Sequence, residues 1–195
     1  MKGLHAALPL LFALPVSLPV LAAWELDPSR SQVEATVTEI TPNGEVPHRH
    51  HVRELSGDIS ADGTLSMPLR LDQTDVIERL GELPPWLSGL ARMPLVTLQT
   101  QLPPERLEGL DIGESLTETL EFRISAENAT HREPIALRFT RRGLDTVHVT
   151  TAEEVSIEGQ ELMANQTART VMLLLGYEQI GEEVPVELDV TLINR

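Results

Sequence analysis

The side chains with the clearest chemical potential are clustered in His48-Arg49-His50-His51. In an extended chain, side chains two positions apart share a face, so His48 and His50 would project together. Imidazole nitrogens in this arrangement suit zinc or copper, and a third ligand would come from His51, Glu54 or a distant carboxylate. We predict a candidate metal site at His48, His50 and His51, with a polar loop or strand start as the alternative.

Signals for catalysis are few. The sequence has no Gly-x-Ser-x-Gly elbow, no Gly-rich phosphate loop and no His-Glu-x-x-His helix. It contains no cysteine, which excludes disulfides, thiol catalysis and cysteine-bound zinc. Adjacent acidic residues such as Glu153-Glu154 would point to opposite faces of a strand. We therefore predict a protein that is not an enzyme, unless a polar cluster lies inside the fold, where Glu118 is the expected buried-face carboxylate.

The N-terminal composition predicts export. Residues 7–23 carry no charge, follow Lys2 and end in Val20-Leu21-Ala22-Ala23. This is the pattern of a secretory signal peptide, and three prolines within it argue against a membrane-spanning helix. We expect cleavage near Ala22 or Ala23, a periplasmic location without a stable membrane anchor, and one domain over residues 24–195.

The net charge excludes some partners. The chain has a formal net charge of −15 at pH 7, so nucleic acid and anionic lipid head groups would be repelled.

The elements that must position any site are mostly β-strands. Apolar and polar residues alternate over 33–38, 65–72, 116–124, 135–140 and 184–192, and weaker strands are expected near 52–60, 95–102 and 144–151. About eight amphipathic antiparallel strands can close into a barrel or stack as a sandwich. Two stretches with helical spacing, 75–93 and 160–176, predict short helical connections that either cover a barrel mouth or pack outside the sheet.

The composition of the inner faces favours a cavity. The chain has only 2 Trp, 1 Tyr and 3 Phe, whereas large rings are the side chains that fill a small barrel efficiently. An eight-stranded barrel is just wide enough either to be filled by its own side chains or to hold one ligand.

Several motifs resemble the YceI-like family, of which this chain looks like a divergent member. The sequence opens with Trp24-x-Leu26-Asp27-x-Ser29-x-Ser31-x-Val33 and continues with Glu54-Leu55-Ser56-Gly57-x-Ile59. Further matches are Leu69-x-Leu71 with Thr74 and Arg79, Val147-x-Val149-Thr150-Thr151, Leu174-x-Gly176, Ile180 and Val184-Pro185-Val186.

The resemblance implies a fold and a ligand. The fold is an all-β, eight-stranded, antiparallel lipocalin-like barrel, and the ligand is a long isoprenoid, either a polyprenyl chain or a quinone tail. No other cofactor is expected. The expected lining residues are Val37, Leu69, Leu98, Phe122, Leu137, Val149 and Leu188, with Trp86, Met93, Met163 and Leu173 near a mouth. Each of these positions could equally be barrel core that touches no ligand.

Three functional hypotheses follow. The first is a periplasmic carrier that shields an isoprenoid lipid from water. The second is metal handling through His48, His50 and His51. The third is a ligand-free interaction module that acts through its acidic surface. The sequence leaves open whether two barrels form a homodimer.

Overall fold

The computed structural model describes most of the chain after the predicted signal peptide. It covers residues 24–60, 62–80, 85, 89, 91–92, 94–126 and 129–194. The predicted signal peptide lies outside the described residues, as do Trp86 and Met93, two positions that we expect near the mouth.

Antiparallel strands dominate these residues. The strands are β1 (Trp24–Leu26), β2 (Gln32–Thr41), β3 (Gly44–Arg53), β4 (Asp58–Ile59), β5 (Thr64–Arg70), β6 (Pro94–Gln101), β7 (Ser115–Ala126), β8 (Ala129–Gly143), β9 (Thr146–Thr151), β10 (Val155–Glu158) and β11 (Glu183–Asn194). Every strand with clear alternation in the sequence is present. The weak strand expected near 52–60 is wrong, because β3 ends at Arg53 and only Asp58–Ile59 of that stretch forms a strand. The whole of β3 was not predicted, since it does not alternate between apolar and polar residues, and β1, β4 and β10 are too short to show a period.

Short helices connect some of the strands. The described α-helices are α1 (Val76–Leu80), α2 (Pro104–Glu108), α3 (Gly159–Ala164) and α4 (Gln166–Leu174), and 3₁₀ turns lie at Pro28–Arg30 and Leu71–Gln73. Helices α1, α3 and α4 fall in the two stretches with helical spacing. Helix α2 was not predicted, because five residues are too few to show a helical period; it begins at Pro104, and proline is favoured in the first turn of a helix.

The strands form one sheet that curls around a single core. Its order is β3-β2-β11-β9-β8-β7-β6-β5-β4, and β1 and β10 both pair with β11. The main cluster of buried side chains joins Val33 of β2 to Leu65 and Met67 of β5. Because these strands lie near opposite ends of the sheet order, the sheet must wrap around the cluster.

The predicted fold class is therefore confirmed. The sheet is antiparallel throughout, and its curled form is that of a lipocalin-like all-β protein. No backbone ladder joins β3 to β4 in the part of the chain that the structure describes. The edge of β3 is instead met by the segment before α1, where Asp75 N donates to His51 O at 3.0 Å.

Candidate site on the inner face of the sheet

The inner face of the sheet is apolar over most of its length. Its larger part, which we call the core cluster, contains buried side chains from β1, β2, β5, β7, β8, β9 and β11. A smaller group, which we call the helix-side cluster, consists of Val37, Met172, Tyr177 and Val184. Helix α4 supplies Met172 to this group and Val171 to a third group with Leu71, Val76 and Ala91. The helices α1 and α4 thus cover part of the apolar inner surface.

Most of the predicted lining residues lie on this surface. Phe122, Leu137, Val149 and Leu188 belong to the core cluster, and Leu69 and Leu98 are partly buried against it. Val37 lies in the helix-side cluster, with Met163 packed against it. Leu173 is exposed on α4. The structure brings all of these residues except Leu173 into the two clusters, and their contact with a ligand stays a prediction.

The end of α4 places Tyr177, a residue that we did not predict, inside the fold. Gly176 has a φ of +91°, Tyr177 N donates to Met172 O at 2.9 Å, and Gly176 N donates to Leu173 O at 3.1 Å. These two bonds form a Schellman motif, in which the residue after the glycine packs back on the helix. Tyr177 accordingly packs with Met172 in the helix-side cluster.

Polar side chains meet beside Tyr177. The Tyr177 hydroxyl lies 3.4 Å from His50 Nε2, and His50 Nδ1 lies 3.4 Å from Asp75 Oδ1. Asp75 also accepts a hydrogen bond from His51 N at 3.1 Å and lies 3.5 Å from Arg79 Nη2. Burial is the largest influence on His50 and lowers the pKa of its imidazole, although Asp75 acts in the opposite direction.

His48 completes this group. Its ring stacks on Tyr177, with the ring centroids 4.6 Å apart, and its Nε2 lies 3.0 Å from Glu39 Oε2. The strand register pairs Ala35 with His50 and Val37 with His48, so both histidines share the inner face, as their spacing predicts. We call His48, His50, Asp75, Arg79 and Tyr177 the polar cluster.

The third histidine points elsewhere. His51 pairs with Glu34 across the β2-β3 ladder, and its Nδ1 lies 3.4 Å from Glu34 Oε2 without the geometry of a hydrogen bond. Within the described residues, no three His, Cys, Asp or Glu side chains are grouped so that they could hold a metal ion. Each histidine has a carboxylate of its own, so this geometry does not support the predicted metal site, which stays a prediction.

A polar cleft of about 790 Å³ lies on the other side of Asp75. It is bordered by the 3₁₀ turn at Pro28–Arg30, the end of β3 and the start of α1, and its lining includes Arg53, Glu78 and Asp189. None of the predicted lipid-lining residues that the structure describes borders it. The apolar side chains of the inner face lie instead in the core and helix-side clusters.

Glu118 lies on the inner face of β7, as its position in the alternation predicts. It is opposite Leu137 of β8, its Oε1 is 2.7 Å from Arg106 Nη1, and its Oε2 is buried without a hydrogen-bond partner. It is remote from the polar cluster in the sheet order.

Comparison with known proteins supports the fold. No protein-family model and no curated protein matches the chain. Among solved structures, a polyisoprenoid binding domain from Saccharophagus degradans implicated in plant cell wall breakdown aligns with a TM-score of 0.72 and 18% identity, over 89% of this chain and 99% of that one. BcnA of Burkholderia cenocepacia aligns with a TM-score of 0.51 and 12% identity, over 85% and 98%.

These likenesses show the fold of the chain. The chain shares the curled antiparallel fold of both structures, as the sequence resemblance implied. In the described residues, no helix combines the length and apolar character needed to cross a bilayer.

Sequence reasoning missed Asp75 and Tyr177 as neighbours of the inner-face histidines. Leu175-Gly176-Tyr177 after a helical pattern was the available signal, since glycine commonly ends a helix. That signal could have located the turn. It could not have shown that the ring meets His50.

Proposed function

We propose that this protein binds an isoprenoid lipid on the apolar inner face of its sheet and carries it through the periplasm without catalysing a reaction. The observation on which this depends is the apolar surface shared by the core and helix-side clusters, which lies between the sheet and short helices. The solved domain with the higher TM-score is described as polyisoprenoid binding, which supports the same ligand class here.

The side chains suit a flexible hydrocarbon. The two clusters consist mainly of Leu, Val and Met, which make many weak dispersion contacts and need no polar partner. Each buried methylene contributes about 0.8 kcal/mol, so a few isoprene units suffice for useful affinity. Met163 of α3 and Met172 of α4 have flexible side chains that can repack around a hydrocarbon chain that enters beside these helices.

Export of the chain is part of the proposal. The charge-free segment before Trp24 has the composition of a signal peptide. A periplasmic carrier would shield its apolar cargo from water between two membranes. The acidic exterior, with a formal net charge of −15, would limit adhesion to anionic membrane surfaces.

The direct test is native mass spectrometry of the protein purified from the periplasm of a bacterium that exports it, followed by organic extraction. We expect one isoprenoid per protein chain. Protein that is repeatedly empty would reject the carrier and leave the acidic interaction module, and a bound metal ion without lipid would favour the metal hypothesis.

A pair of variants tests the position of the lipid. Leu98 is partly buried against the core cluster, and its neighbour Thr97 points to the opposite face of β6. We expect Leu98→Trp to obstruct the inner face and lower the bound lipid severalfold, whereas Thr97→Trp retains it. Equal lipid content in both variants would contradict a site on this face.

A further inference from the structure

The polar cluster lies on the largely apolar inner face, and its members differ in exposure. Tyr177 is 4% exposed and the His50 side chain 9%, whereas the side chains of His48 and Arg79 are 24% and 45% exposed. Tyr177 packs in the helix-side cluster, and Arg79 reaches solvent. The cluster therefore spans the boundary between the apolar interior and water, which is where the polar end of an amphipathic ligand belongs.

We propose that the polar cluster binds the head group of the isoprenoid and selects a neutral hydroxyl or carbonyl over a phosphate. This inference rests on the proposed function and adds the chemical class of the ligand's polar end.

The charges of the cluster oppose an anion. Two carboxylates carry negative charge here: Asp75 within the cluster and Glu39, which lies 3.0 Å from His48. The guanidinium of Arg79 already lies 3.5 Å from Asp75. Burial lowers the pKa of His50, so its ring is neutral at neutral pH. A phosphate would meet two carboxylates and one shared cation in a partly buried setting, where charge interactions are strong.

The hydrogen-bonding groups suit a neutral oxygen. A carboxylate can only accept, so the contact with Asp75 puts the His50 proton on Nδ1 and leaves Nε2 to accept from the Tyr177 hydroxyl. Both contacts are 3.4 Å long, beyond the usual range of a hydrogen bond, so replacing them costs little. The Tyr177 oxygen can accept from a ligand hydroxyl, and its proton can turn to a ligand carbonyl.

The phenol itself remains protonated. Burial raises the pKa of Tyr177 above its ordinary value of 10.0, and Glu39 acts in the same direction, although Arg79 lowers it. Tyr177 therefore offers both a donor and an acceptor at any physiological pH.

The test uses three ligands with one all-trans isoprenoid chain: the alcohol, its monophosphate and the corresponding hydrocarbon. Each is titrated into delipidated protein. We expect the alcohol to bind at least about tenfold more tightly than the monophosphate. Tyr177→Phe keeps the ring and should weaken alcohol binding about five- to tenfold while leaving hydrocarbon binding unchanged. Phe122→Leu, which alters only the apolar surface, should weaken all three ligands alike.

The outcomes separate the two proposals. If none of the three ligands binds, the proposed function fails and the head-group inference fails with it. If the hydrocarbon binds but the monophosphate equals or exceeds the alcohol, or Tyr177→Phe leaves alcohol binding unchanged, the head-group inference alone is overturned. The comparison among ligands needs only the wild-type protein, so it decides the question even if Tyr177→Phe fails to fold.

Discussion

The Tyr177 hydroxyl and His50 Nε2 lie 3.4 Å apart, although 127 positions separate the two residues in the sequence. Two local devices produce this proximity. The β2-β3 ladder sets His50 on the inner face opposite Ala35, and the Schellman motif after α4 turns Tyr177 back toward the same face. The contact therefore depends on the correct packing of α4 and the turn after it against the sheet.

The buried His50 predicts a pH-dependent stability. Its pKa in the folded state is lower than its ordinary value near 6.5, so the unfolded chain takes up this proton more readily. The contribution of neutral His50 to the free energy of unfolding is fully present above about pH 6.5. It is lost as the pH falls from 6.5 through the lower pKa of His50 in the folded state. Chemical denaturation at several pH values should show less loss of unfolding free energy below pH 6.5 for His50→Gln than for wild type.

The control for this prediction is His131, which is exposed on β8. His131→Gln should follow the wild-type pH profile. Identical pH profiles for His50→Gln and His131→Gln would show that His50 is not the group responsible.

Gly176 should be intolerant of a side chain. At a φ of +91° nothing lies within 4 Å of an added Cβ, so the cost of Gly176→Ala is the backbone conformation itself, about 1 kcal/mol. Gly109 also ends a helix, but its φ is −75°, which alanine adopts readily. Thermal unfolding should show a lower melting temperature for Gly176→Ala and little change for Gly109→Ala, and equal shifts would refute the conformational argument.

Arg141 should stabilise the turn between β8 and β9 through the planar shape of its guanidinium. Its guanidinium donates to the carbonyl oxygens of Gly143, Leu107 and Leu144 and lies 5.4 Å from the centre of the Trp24 ring. A lysine cannot reach three carbonyls with one ammonium, so we expect Arg141→Lys to cost about 2 kcal/mol in urea denaturation.

The neighbouring Arg142 is exposed and supplies the matched control. Arg142→Lys should leave the urea midpoint unchanged. A midpoint for Arg141→Lys within error of wild type would show that charge alone, rather than the guanidinium geometry, matters at this position.

Glu118 should be replaceable by leucine with a gain in stability. Its buried Oε2 has no hydrogen-bond partner, and the Arg106 that meets Oε1 is largely exposed. An exposed ion pair contributes at most about 1 kcal/mol, while a buried unpaired oxygen costs about 1–3 kcal/mol. We expect Glu118→Leu to raise the unfolding free energy by about 1 kcal/mol, measured by denaturant titration.

The comparison residue is Glu121, which is exposed on β7 and pairs with Arg132. Glu121→Leu should give no gain, because it exposes an apolar side chain to water. A loss of stability in Glu118→Leu as large as that in Glu121→Leu would mean that the Arg106 contact outweighs the unpaired oxygen.

The alternation of apolar residues was sufficient to predict five of the longer strands, β2, β5, β7, β8 and β11, and their inner faces, but not the ten-residue β3. Phe122, Leu137, Val149 and Leu188 are buried where the period places them, because successive side chains in a strand point to opposite sides. The short strands and α2 escaped prediction because two to five residues contain no period.

What the sequence by itself determined is local: which side chains share a face, where turns interrupt the strands, and that Glu118 would lie among apolar neighbours. The tertiary structure decided which distant residues meet. His48 and His50 share a face in any extended strand, but only the fold sets Asp75, Arg79 and Tyr177 around them and turns His51 toward Glu34. Such contacts depend on the strand order and on the direction that the chain takes after α4. Neither of these produces a periodic pattern in the sequence.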